Sequence, residues 1–297
     1  MSLQKLSLKG CTSQPWWMPL LRPDTCQQLQ LHHLDDCLAA FAIFKEDTRI
    51  FAIETILLHC YSAIPSRHPD LVKMLVKMPY IQSFTFSYND PREARIRRSG
   101  VVLSSEVLRL LTSITAPAGL LNTFFGNYDR PVRYLATTFD RANPISGGLP
   151  FTQLYTTFPL LETLSIHGLE NFWESQDLWG TPFSLFSKLK VLHLIPQVIS
   201  LGNIIPICHR LTLYSLPISL TELHVSNSIV YAEVPRVATN MTAFATSEID
   251  KLKAKLPYLK HLLVLSPSQS VEWQNEPCSL SCYTRTTQEW FDDIKLI

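Results

Sequence analysis

The sequence predicts an α/β fold built from stacked repeats. Short parallel strands lie side by side on one face, and helices and loops return along the other. Three observations predict it: an apolar signature recurs along the chain, an apolar residue followed by proline or a polar residue precedes several copies, and amphipathic segments separate some of them. The expected architecture is one domain, residues 1–297, of about nine or ten repeats.

The signature reads apolar, two residues, apolar, one residue, apolar. It occurs as Leu3, Leu6 and Leu8; Cys26, Leu29 and Leu31; Ile53, Ile56 and Leu58; and Ile81, Phe84 and Phe86. It returns as Leu161, Leu164 and Ile166; Leu189, Leu192 and Leu194; Leu220, Leu223 and Val225; and Leu259, Leu262 and Val264. Alternate strand residues point to opposite sides, so the second and third apolar sites share an inward face. Three positions ahead of the first site stands an apolar residue followed by proline or a polar residue: Met78-Pro79, Phe158-Pro159, Phe186-Ser187 and Leu256-Pro257. Leu216-Pro217 lies one residue further upstream. Proline there fits the start of a strand, where its missing N–H does least harm.

Counted between middle sites, the steps are 23, 27, 28, 80, 28, 31 and 39 residues. The step of 80 has room for one or two degenerate copies, with a strand near Leu121 or within 132–139. Helices fill other gaps. Asp70 can cap a segment with Leu71, Met74, Leu75 and Met78 on one face. Ser104 or Ser105 can cap another that turns Val107, Leu108, Leu111 and Ile114 inward. Ser247-x-x-Asp250 resembles a capping box before residues 251–256. The tail, about 286–297, reads as a helical cap over the end of the stack, which has no neighbouring repeat to bury it. No such cover precedes Leu3.

Composition narrows the function classes. The 297 residues are 46% hydrophobic, enough for a large core. With 26 basic and 25 acidic residues the formal charge is +1, which excludes a partner chosen by bulk charge, whether nucleic acid or an anionic membrane. Only 17% of residues are charged, so some apolar surface is available to a protein partner. There is no secretory h-region and no membrane-spanning run. The seven cysteines are scattered and odd in number, consistent with reduced thiols in the cytoplasm or nucleus. Cys278 and Cys282 lack the second pair a zinc ribbon needs. No nucleophile elbow, Walker A loop or H-E-x-x-H motif occurs, so no catalysis, cofactor or resident metal is expected. The basic run Arg92–Arg98 lacks interleaved aromatics and reads as a solvated loop.

The residue three places after the last apolar site is Cys11 in the first copy and Asn89 in the fourth, and leucine-rich repeats place Cys or Asn there. With the strand-then-helix alternation, residues 3–265 resemble a leucine-rich-repeat protein, most closely the repeat regions of fungal F-box/leucine-rich-repeat proteins. The resemblance implies a curved solenoid with a parallel sheet on its concave face and helices and loops on its convex face. It implies a protein-interaction module that receives substrates for an F-box-type ubiquitin ligase, with Skp adaptor and cullin as partners where an F-box is supplied elsewhere. No F-box precedes Leu3. A repeat-only scaffold without a ligase link is the alternative; a metal-dependent hydrolase is a third reading that no convergent motif supports.

The repeat register also interprets Leu31-His-His-Leu-Asp-Asp-Cys37, a run dense in metal-ligand types. Leu29 and Leu31 point inward, His32 falls on the exposed face, and His33, Asp35 and Asp36 enter the turn, so no convergent metal site is expected. Numbered from the first apolar site, His59 and His167 share position 7 with His32. His193 and His224 share position 5 of consecutive copies, and His261 stands at position 3 of the next. Parallel neighbours lie about 4.8 Å apart, which would set His193 beside His224. The plain reading is that polar residues collect on any exposed strand face. The functional one is a partner-binding surface whose charge rises below about pH 6.5; a metal on this ladder is a remote third. Trp16, Trp17, Phe172, Trp173 and Trp179 are candidate anchors on rim loops, unless their rings fold back into local cores.

Overall fold

A computed structural model describes residues 3–10, 17–34, 44, 47–60, 68–88, 103–118, 120–121, 130–138, 151–167, 183–195, 209, 211–213, 215–226, 241–265, 269–275 and 279–284. The chain is α/β with a mostly parallel sheet and few helices, and it forms two compact units, Met1–Leu161 and Glu162–Ile297. In the first unit β1 (Lys5–Lys9), β2 (Gln28–Leu34), β3 (Thr55–Cys60), β4 (Ser83–Tyr88), β5 (Ser113–Pro117) and β6 (Tyr134–Thr138) pair in parallel, each with the next. In the second, β7 (Thr163–His167), β8 (Val191–Ile195), β9 (Glu222–Ser226) and β10 (His261–Leu265) do the same. An antiparallel pair, β11 (Gln269–Gln274) and β12 (Ser279–Thr284), continues from β10.

Pairing follows the apolar signature residue for residue. Leu6 faces Leu29, Leu29 faces Ile56, Ile56 faces Phe84, Phe84 faces Ile114 and Ile114 faces Leu135. In the second unit Leu164, Leu192, Leu223 and Leu262 form a row of the same kind. All ten are buried. One backbone contact recurs between successive parallel strands of each unit. The carbonyl at position 2 of one copy accepts two N–H groups, from positions 2 and 3 of the next. Gln4 accepts from Gln27 and Gln28, Gln27 from Glu54 and Thr55, and Glu54 from Gln82 and Ser83. Lys190 accepts from Thr221 and Glu222, and Thr221 from Lys260 and His261, with distances from 2.7 to 3.1 Å.

The mark ahead of each signature is a turn, where a strand start was expected. The N–H of position 1 reaches the carbonyl three residues back: Ile81 to Met78, Leu161 to Phe158, Leu189 to Phe186 and Leu259 to Leu256. Pro79, Pro159 and Pro257 then stand second in a four-residue turn, where a fixed φ is already correct. The residue opening each turn is buried.

Two copies occupy the long gap. β6 falls within the 132–139 alternative, with Val132, Leu135 and Thr137 inward. β5 lies where a helix was expected. Residues 105–110 are turns, and Leu111, Ile114 and Ala116 form a signature of their own. Arg130, 2% exposed, crosses to this turn and donates to the carbonyls of Val107 at 2.5 Å, Ser104 at 3.1 Å and Leu103 at 3.4 Å. Its buried charge is thus met by main-chain acceptors, one of which, the Ser104 carbonyl, also takes the Val107 N–H.

Helix α1 (His68–Val76) buries Leu71, Met74 and Leu75 as its spacing predicts, though it begins at His68, so Asp70 lies inside it and does not cap it. A second helix, α2, spans Phe151–Thr157. The third, α3 (Met241–Lys255), starts before Ser247, so the expected capping box is interior; Ile249 and Leu252 bury one face. On α3, Glu248 is buried and accepts from Lys251 and, at 3.3 Å, from His209 Nδ1. Burial pushes its carboxyl up, but Lys251 and His209 more than offset this and hold it below its ordinary value. The expected terminal cap, 286–297, lies outside the described residues; the edge of β10 pairs with β11. Among the described residues no helix is long and apolar enough to cross a membrane.

Arg130→Met should lower unfolding stability by about 1.5–3 kcal/mol, the worth of charge-assisted bonds, read from urea midpoints at unchanged slope. Glu248→Gln tests the second buried ion. The folded chain holds this carboxyl more acidic than the unfolded chain does, so ionised Glu248 stabilises above the unfolded value and ceases to as pH falls through the folded one. The stability difference between wild type and Glu248→Gln should therefore be full at pH 7 and shrink in acid.

Candidate functional site

On β2, β3, β4, β5, β8, β9 and β10 the position between the two buried ones is left half-buried, and in β8 and β9 inward and outward residues alternate without exception; on β6 and β7 the intervening Ala136 and Ser165 are buried as well. In the second unit this outer face carries the chain's densest group of titratable side chains among the described residues. At position 5, Ser165 pairs with His193 and His193 with His224. At position 3, Glu222 pairs with His261.

The side chains join into one network. Ser165 Oγ lies 3.0 Å from His167 Nε2. The rings of His193 and His224 stack with centroids 4.5 Å apart and planes 9° from parallel, as the spacing of neighbouring strands predicts. His224 Nε2 is 3.1 Å from His261 Nδ1, and the two rings meet edge to face. His261 Nε2 lies 3.2 Å from Glu272 Oε1 on β11, and Gln274 Nε2 donates to that same oxygen at 3.0 Å. Glu222 Oε2 stands 3.9 Å from His224 Nε2. Ligand-type atoms of Glu222, His224 and His261 all lie within 4.8 Å of one another.

Proton positions follow from the acceptor at the end of the chain. The Glu272 carboxylate only accepts, so His261 Nε2 carries the hydrogen and its Nδ1 presents a lone pair. His224 Nε2–H then donates to that lone pair. Burial drives the charge state. It pushes His224 down, helped by the neighbouring His193 and His261, to about 4. Burial likewise lowers His193, against the pull of Glu222, and lowers His167, with His193 adding to the effect. These three rings are neutral at pH 7, and the charging expected below about pH 6.5 is displaced to lower pH. His193 Nε2 is buried with no hydrogen-bond partner among the described residues.

The other candidates do not join this group. His32 is half-buried within β2, and its carbonyl accepts from Gly10 at 3.0 Å. Gly10 sits at φ +65°, a conformation that glycine adopts without strain. His59 Nδ1 lies 2.7 Å from Ser87 Oγ on β4. Trp17 is corrected from rim anchor to core residue: it is 1% exposed and packs against Phe44 at 5.9 Å between centroids. Trp16, Phe172, Trp173, Trp179, Asp35, Asp36 and Cys37 lie outside the described residues. Sequence reasoning missed Glu222 and Glu272. Glu222 shares position 3 with His261, and Glu272 follows from the alternation of Val271 and Trp273, both buried.

In chelator-treated protein, proton NMR should show His224 titrating near pH 4 and His167 and His193 below the ordinary 6.5. The unfolded chain then takes up these protons first, so stability should fall as pH drops from about 6.5 toward 4. A His224 midpoint at or above 6.5 would contradict burial as the cause. No family model matches this chain, and no curated protein matches it.

Proposed function

We propose that this chain is a leucine-rich-repeat solenoid that recognises another protein through the outer face of its parallel strands, with no catalysis of its own. The observation that carries the reading is a row, in each unit, of half-buried, mostly polar positions between the buried columns: Gln30, Thr85 and Thr115 in the first, His193 and His224 in the second. A parallel sheet buried on both faces reads as continuous apolar runs. Except in β6 and β7 these strands alternate instead, so in each unit one face is left largely to water or a partner. Side chains held by paired backbone on both sides lose little further freedom on binding, which favours recognition. The resemblance to fungal F-box/leucine-rich-repeat proteins supports a role in receiving substrates for a ubiquitin ligase in the cytoplasm or nucleus, with Skp adaptor and cullin joining through an F-box. A repeat-only scaffold has the same face and lacks the ligase.

The test is affinity purification of the tagged chain from its host, beside a Thr85→Arg/Thr115→Arg variant. These two threonines are register partners on β4 and β5, so the variant places two long cations at one spot on the face. A protein retained by the wild type and weakened by about tenfold or more in the variant, about 1.4 kcal/mol, supports recognition by this face. Skp adaptor and cullin among the retained proteins support the ligase. Equal capture by both chains contradicts the reading.

A further inference from the structure

The histidine network has a feature that partner recognition does not require. Its hydrogen bonds run in one direction, and they converge two imidazole nitrogens and a carboxylate oxygen on one point. His224 Nε2 and His261 Nδ1 are 3.1 Å apart, His224 Nε2 and Glu222 Oε2 are 3.9 Å apart, and all three ligand atoms fit within 4.8 Å. A tetrahedral ion with arms of about 2.0–2.1 Å has ligand atoms about 3.3–3.4 Å from one another, a value these separations bracket.

We propose that Glu222, His224 and His261 form a binding site for a divalent transition metal, with zinc the ion its ligand set fits best. Two imidazoles and one carboxylate are ligand types zinc takes readily, and imidazole distinguishes the site from one for magnesium or calcium. The fourth position is left to solvent. The supporting residues fit as well. A ligating imidazole is ordinarily oriented by a carboxylate on its other nitrogen, and Glu272 stands there for His261, itself steadied by Gln274. That contact fixes the Nε2–H form and leaves Nδ1 free to ligate. His224 must shift its hydrogen from Nε2 to Nδ1, which a neutral imidazole does without gaining charge. The stack on His193 holds the His224 ring in place meanwhile.

The strands that carry the ligands are paired on both sides, β9 between β8 and β10, and β10 between β9 and β11. The site is therefore organised before an ion arrives, unlike a loop that must fold around one. It stands independently of protein recognition: a chain that binds zinc and no partner, or a partner and no zinc, separates the two.

The experiment is calorimetric titration of the chelator-treated full chain with zinc chloride at pH 7.5. One equivalent is expected. Glu222→Gln and Glu272→Gln keep side-chain volume and should each weaken binding, Glu272→Gln by about 10–100-fold as the loss of an orienting partner does. His224→Ala/His261→Ala should abolish it, with far-UV circular dichroism to confirm that the variant is folded. On the wild type, zinc should shift the ring carbons of His224 and His261 in NMR spectra at one equivalent, a readout that needs no variant. No binding by the wild type, or binding undiminished in the two glutamine variants and without shifts at those rings, would overturn the site.

Discussion

A single backbone carbonyl, repeated, sets the register of each unit. At position 2 of each copy it takes two N–H groups from the copy that follows, and the next strand can then start at only one residue. A one-residue slip would break both bonds and turn every side chain to the opposite face. The apolar residues at positions 4 and 6 enter the core because this contact fixes the phase. The turn before each strand reinforces it, since its closing bond places position 1 beneath the previous copy. Length between copies can then vary widely, as the step of 21 residues from Ile114 to Leu135 and that of 39 from Leu223 to Leu262 show.

The outer face inherits the same phase. Because positions 3 and 5 line up across strands, a histidine recurring at one of them meets its neighbour by necessity. His193 and His224 stack for that reason alone. Stacked imidazoles tolerate one another while neutral and repel when protonated, and burial keeps these rings neutral. Glu222 and Glu272 then act at the margins, one beside His224 and one beyond His261. The result is a set of lone pairs and N–H groups ordered by a carboxylate at one end, which is more specific than a face that merely happens to be polar.

The columns were legible because leucine, isoleucine and phenylalanine mark them without ambiguity. The histidine stack was legible because period-two geometry turns shared position into contact. Where either signal weakens, reading fails for a physical reason. Ala116 and Thr137 hold the third inward site with small side chains, so β5 and β6 lost the mark that names a strand. Val107, Leu108, Leu111 and Ile114 have helical spacing by accident; the bonds that Arg130 makes to the intervening turn override it, and nothing local announces them. Trp17 sits in the core because Phe44, far along the chain, comes to meet it. Glu272 reaches His261 only through an antiparallel strand that the repeat pattern did not contain.

The most direct test of the register is the contact it forces between side chains. In protein labelled at histidine ring protons, nuclear Overhauser cross-peaks should join His193 to His224 and His224 to His261. Rings 4.5 Å and 4.9 Å apart between centroids bring such protons within range. If His193 instead showed cross-peaks only to the methyls of Leu223 or Val225, the strands would be paired one residue out of phase. The account of both the core and the site would then be wrong.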